Sequence, residues 1–211
     1  QSAEINWIVD GGATFRTSTL GLELPLKPNN ISLSLNLPQS RWPLYVGGPN
    51  LGPAMLLWGV LIVILGLAIG LGYVVKRQNL SIPVNTTQWV LLALGMSSIS
   101  ILSIVPVVLW FFAMEARTRL KTIGKRSFNL LQVGLAVLTV VAIYSLFLTI
   151  PASLLSAPDM QVAGNGSSNY YYHWFQDRTV DSLPQGYVIS VSIWVYRLSM
   201  LLWSLWLVFA L

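Results

Sequence analysis

The chain has no cysteine, a single histidine (His173), and only 12 lysines and arginines against 7 aspartates and glutamates in 211 residues. The missing cysteine excludes disulfide frameworks, thiolate metal sites, iron–sulfur clusters and cysteine nucleophiles together. Charged residues amount to 9%, against the roughly 25% of an ordinary soluble domain. Hydrophobic residues make up 55%. A surface so poor in charge cannot face water over most of its area, so the chain is predicted to be a mainly α, integral membrane protein. Nucleic-acid binding calls for a larger basic surface with base-reading elements, and that class is excluded.

What is present divides in two. In residues 1–50, Ile31, Leu33, Leu35 and Leu37 alternate with Ser32, Ser34 and Asn36, the period of a half-buried strand. Asp10-Gly11-Gly12, between Asn6-Trp7-Ile8-Val9 and Ala13-Thr14-Phe15-Arg16, predicts a hairpin turn. A β-rich segment this short does not close a core of its own. It is expected to be the tail of a larger β-domain upstream. The first residues, Gln1-Ser2-Ala3-Glu4, and a last residue, Leu211, inside an apolar run also read as a piece of a longer protein.

Four transmembrane helices are expected in residues 51–211, over about 53–75, 89–114, 128–150 and 188–211, each long enough for a hydrocarbon core of roughly 30 Å. Trp89 and Trp110 stand near the ends of the second span like an aromatic belt. Pro106 should kink that span, and Pro151 should end the third. Residues 76–87 and 115–127 are short connections. The long polar loop 151–187 has room for a surface helix or a cap.

Arg197, inside the fourth span, carries a charge that costs at least ~2.5–3.5 kcal/mol near a bilayer centre. Asp159, Asp177 and Asp181 precede it and are its candidate partners. It is either a lipid or partner contact or a snorkelling arginine that locks the loop to the helix end. His173 and Asp177 would share a helix face, but no third ligand is near, so no metal site, cofactor or catalytic residue is assigned and His173 stays a weak ligand candidate. Its neighbours Tyr170, Tyr171, Tyr172, Trp174 and Phe175 resemble an interfacial belt. Gly164-Asn165-Gly166-Ser167-Ser168 lacks the ending of a phosphate loop. Gly66, Gly70 and Gly72 form a small-residue face suited to close helix packing, within the chain or between copies. Arg117, Arg119, Lys121, Lys125 and Arg126, opposed by Glu115, suit contact with anionic lipid.

The run Arg41-Trp42-Pro43-Leu44-Tyr45-Val46-Gly47-Gly48-Pro49-Asn50-Leu51-Gly52-Pro53-Ala54, the segments 128–134 and 158–168, Val195-Tyr196-Arg197-Leu198 and Trp203-Ser204-Leu205-Trp206 resemble the C-terminal membrane region of a group of large, uncharacterised proteobacterial envelope proteins. The resemblance implies a bacterial inner-membrane location and β-rich domains upstream; it brings no function with it. It places residues 1–50 in the periplasm. The positive-inside rule, applied to four spans, places the basic loop 115–127 in the cytoplasm and both chain ends with it. These orientations are opposite.

The reading reached from these residues is a non-enzymatic membrane-anchoring or assembly domain. Its partners would be the bilayer, upstream domains of the same protein, and a membrane-protein partner or second copy. The alternative is a transporter or channel subunit, using Arg197, Gln132 and the serines of the second span. A lipid-modifying enzyme built on His173 and Asp177 stands third.

Overall fold

The computed structural model describes residues 12–21, 29–97, 101–119, 124–155, 157–178 and 184–210. They form two compact units, one of residues 1–55 and 161–193, the other of 56–160 and 194–211. Five helices accompany the strands, so the chain is mixed α/β, and three of the helices are long and apolar enough to cross a membrane.

Among the described residues the first unit is built of strands and their connections. β1 (Arg16–Ser18), β2 (Asn29–Asn36), β3 (Arg41–Gly47) and β4 (Ala54–Met55) come from the start of the chain; β5 (Val162–Ala163), β6 (Tyr171–Arg178) and β7 (Tyr187–Ser192) come from the long loop. Every pairing joins the two groups. β7 lies between β1 and β3, β6 pairs with β2, and β5 pairs with β4, all antiparallel. The expected surface helix or cap in 151–187 is therefore replaced by the strands that the N-terminal segment lacked. The alternation in β2 holds: Ile31 and Leu37 are buried, while Ser32, Ser34 and Asn36 are exposed. The core is Leu37, Val46, Tyr172, Trp174 and Val188. Arg41 fastens three chain segments, donating from Nη2 to the carbonyls of Thr14 and Ser190 (both 2.6 Å) and from Nε to Ser190 Oγ (3.2 Å). Most of the predicted hairpin around Asp10-Gly11-Gly12 lies outside the described residues.

The second unit holds α1 (Leu57–Arg77), α2 (Thr86–Ser97), a 3-10 turn (Ile101–Ser103), α3 (Ile104–Arg119), α4 (Lys125–Leu155) and α5 (Ile193–Ala210). α1 closes with Asn79 in the left-handed region (φ 47°). Leu80 N–H reaches Val75 O at 3.1 Å, Asn79 N–H reaches Lys76 O at 3.3 Å, and Leu80 packs into the cluster that contains Val75. This is a Schellman stop, which asparagine tolerates. α2 opens with the side chain of Gln88 accepting the N–H of Asn85 at 2.8 Å, half of a capping box.

The expected single span 89–114 is instead two helices, neither long enough to count as a span. The N–H of Ser81, ahead of α2, donates to Glu115 Oε2 near the end of α3 at 3.0 Å. The segment thus returns to the level at which it began. Pro106 lies in the first turn of α3, where its missing N–H would have no intrahelical partner, so it begins a helix and kinks none. Pro151 does not end the third span, because α4 continues to Leu155. Hydroxyls bonded to backbone carbonyls accompany this stretch, Thr149 to Ser145 O (2.6 Å) and Ser153 to Ile150 O (2.7 Å). The fourth apolar stretch splits: 187–192 is strand β7, and the helix starts at Ile193.

Candidate functional site

The hydrogen-bonded chain Ser32–His173–Asn165 brings polar side chains together on the β2–β6 ribbon. His173 Nδ1 lies 3.2 Å from Asn165 O, a carbonyl that can only accept, so Nδ1 carries the proton. In the neutral ring Nε2 is then an acceptor, to which Ser32 Oγ donates at 2.5 Å. Asn165 (φ 52°), between Gly164 (φ 111°) and Gly166 (φ 69°), holds the turn in the left-handed region. Its Nδ2 donates to Leu51 O at 2.7 Å. This fixes the turn beside the histidine.

A histidine with its tautomer fixed and a hydroxyl on Nε2 has the geometry that activates a serine nucleophile. Such a nucleophile also needs donors for a developing oxyanion and a site closed to water. Here Ser32 is exposed, and the N–H of His173 is already bonded to Ser167 Oγ at 3.0 Å. The arrangement orders the loop on the ribbon. Sequence reading missed it because it joins residues 141 apart; the one available signal was a lone histidine and a serine-lined strand.

The other predicted residues fall as follows. Asp177 does not share a helix face with His173: both lie on strand β6, where four residues span about 13 Å. Tyr170 to Phe175 form no belt, since strand alternation sends Tyr172 and Trp174 into the core at 0% and 1% exposure. Tyr171 and Phe175 face outward on either side of the His173 ring, at 6.1 and 4.3 Å between centroids. Burial raises the pKa of the Tyr172 phenol well above its ordinary value, with the charge of Tyr170 second, and burial raises that of Tyr170 as well. The Tyr172 hydroxyl donates to Asn169 O at 2.5 Å.

Arg197 is one turn into α5, its guanidinium 5.3 Å from the centre of the Trp194 ring. Its Nε is buried with no hydrogen-bond partner, and it forms no salt bridge with Asp159. Asp181 and Lys121 lie outside the described residues, as do the side chains of Lys125 and Arg178. Arg117 is exposed in the last turn of α3. Arg119 donates from Nε to Glu115 Oε1 at 2.8 Å, the one ion pair among the described residues. Arg126, exposed, and Lys125 occupy the first turn of α4, which has no acidic residue. Cations there oppose the helix dipole. Among the described residues no group of three His, Asp or Glu side chains could hold a metal ion.

Of the three glycines, only Gly72 packs: a Cβ there would lie 2.8 Å from Thr86 Cα, while Gly66 and Gly70 face open space. The close approach between helices that sequence reading did not single out is Gly95 of α2 against the Trp203 ring of α5, whose Nε1 donates to Leu91 O at 2.7 Å. No protein-family model, curated protein or solved structure matches the chain.

Proposed function

We propose that the chain is a non-enzymatic membrane module that anchors and displays its β unit at the outer face of a bacterial inner membrane. In this reading α1, α4 and α5 cross the bilayer, and α2–α3 is a re-entrant hairpin that enters from the inner face and returns to it. The observation that carries the reading is the hydrogen bond from Ser81 to Glu115. It ties the exit of α1 to the exit of α3, so that the two short connections share one face.

Chain continuity agrees. α1 follows β4, α5 follows β7 directly, and α4 leads to β5; the pairings Met55–Val162 and Arg41–Ser192 close these junctions within the β unit. In this reading all three helix ends belong to one side. On the same reading Lys76 and Arg77 at the end of α1, Arg117 and Arg119 at the end of α3, and Lys125 and Arg126 at the start of α4 fall at the other, the cytoplasmic side by the positive-inside rule. The opposition between the charge rule and a periplasmic β-segment came from counting four spans; with three it disappears.

The anchor reading is favoured over transport because hydroxyls in the helices are spent locally. Ser97, Thr149, Ser153 and Ser204 each bond to a carbonyl of their own helix, and Trp110 Nε1 donates to Thr139 Oγ1 at 2.9 Å, linking α3 to α4.

The cysteine-free chain makes the test direct. Ser40→Cys, Ser168→Cys, Gln78→Cys and Gly124→Cys are challenged one at a time in intact cells with a membrane-impermeant maleimide. Labelling of the first two and protection of the last two is the expected pattern. Opposite accessibility of positions 78 and 124 would restore four spans and end this reading.

A further inference from the structure

We propose that the cavity between α1, α2 and α3 takes up an acyl chain of an anionic phospholipid from the inner leaflet. The inference rests on the three-span reading above. Physically the cavity arises because the two arms of the hairpin pack on different partners: α2 lies along α1 and α3 along α4, while α2 and α3 touch each other little. Between the diverging arms a space of about 270 Å³ remains, lined by apolar side chains that include Ala68, Leu71, Trp89, Ala93, Met96 and Val107.

This space is a half-open cleft with an almost wholly apolar lining, so it offers water next to none of the two to four polar partners that an ordered water needs. Left empty, its lining forfeits dispersion contacts. Its volume exceeds the roughly 150 Å³ of a dry apolar cavity that takes up benzene. The occupant must be apolar, mobile enough to enter from the side, and abundant around the helices. Lipid tails meet all three requirements.

Two observations narrow the choice to a chain that carries an ester and a negative headgroup. The indole nitrogen of Trp89 is buried with no hydrogen-bond partner, although its ring lines the cavity and packs against Phe111 and Phe112. An ester carbonyl is an acceptor that a phospholipid tail brings with it and an aliphatic side chain does not. Trp89 is also in the first turn of α2, only about 5 Å along the helix from its start, where a lipid's ester linkages sit beneath its headgroup. The tail would then run along α2 toward Met96. Lys76 and Arg77 end α1, and Arg117 and Arg119 end α3, so cations stand at the same membrane face. Each attracts anionic lipid by roughly 1 kcal/mol.

The test reconstitutes the full chain in vesicles of phosphatidylethanolamine and phosphatidylglycerol. A trace of phosphatidylglycerol with a diazirine in mid-acyl chain is added and photolysed, and the adducts are mapped by mass spectrometry. Adducts are expected at Leu71, Ile104 and Val108, which line the cleft and keep accessible surface, besides the outward-facing Leu130 and Val137 of α4. Ala93→Leu, or independently Val107→Phe, should lower the adducts at Leu71 about fivefold by filling the space, with those at Leu130 and Val137 unchanged. Adducts at Leu130 and Val137 with none at the cavity positions would overturn the proposal. Equal labelling of the cavity by a phosphatidylcholine probe would overturn the headgroup preference. No adducts at Leu130 and Val137 would instead overturn the membrane-spanning reading, and the proposal with it.

Discussion

Ser81 and Glu115 are 34 residues apart in the chain and 3.0 Å apart in the fold, backbone N–H to Oε2. Glu115 is only 7% exposed and also receives Arg119 Nε on its other oxygen. A buried carboxylate with both oxygens occupied is a tie between the two ends of a helical hairpin. It was legible beforehand only as a single acid in a basic stretch.

Removing the tie should be costly in a graded way. Glu115→Ala leaves the Ser81 N–H without its acceptor and is expected to destabilise the helical unit by about 1–3 kcal/mol. Glu115→Gln keeps an oxygen at the site and should lose less. Arg119→Ala should cost under ~1 kcal/mol, because the Arg119 side chain is half exposed and its ion pair is screened. Denaturant unfolding in bilayer mimetics, followed by tryptophan fluorescence, checks the order; equal losses for alanine and glutamine would show that the acceptor does not matter.

Gly95→Ala should loosen α5 from α2. A methyl group at Gly95 runs into the Trp203 ring, and overpacking of this kind costs typically about 1–3 kcal/mol. Trp203→Leu should recover part of that loss, so the pair will be non-additive in a double-mutant cycle. Gly66→Ala and Gly70→Ala face open space and should be neutral or slightly stabilising in the single chain, since alanine is the better helix former by up to about 1 kcal/mol. A loss at Gly66 or Gly70 that depends on protein concentration would reveal a second copy on that face.

The β unit should weaken in alkali through Tyr172. Its folded pKa is raised by burial above the ordinary value of 10.0. Above pH 10.0 the unfolded chain gives up this proton while the folded chain keeps it, so stability falls as pH rises. Below that pH the contribution is complete. Tyr172→Phe forfeits the hydrogen bond to Asn169 but should flatten the alkaline loss, as measured by near-ultraviolet circular dichroism between pH 9 and pH 12. An unchanged slope in this variant would assign the loss to other groups.

Local structure was legible wherever one segment decided it. The alternation from Ile31 to Leu37 declared β2 because two faces of one strand meet different surroundings. The apolar runs around α1, α4 and α5 declared membrane-length helices because length and the absence of charge suffice. Pairing was not legible. Nothing in Leu33 says that it will lie opposite Trp174, since strand periodicity marks a buried face without naming what buries it. The Tyr170–Phe175 stretch was misread for the same reason: composition suggested a belt, and alternation on a strand halved it.

The sequence by itself determined that the chain is apolar, that residues 31–36 lie in a strand, that cysteine chemistry is absent, and where its cations cluster. Tertiary structure decided three things: that residues 161–192 complete the β-segment, that 86–119 turns back as a hairpin, and that Gly72 and Gly95, not Gly66 and Gly70, are the glycines the helices close upon. The physical reason is common to all three. Hydropathy and period report the surroundings a residue requires, whereas pairing, reversal and close approach depend on which distant segment supplies them.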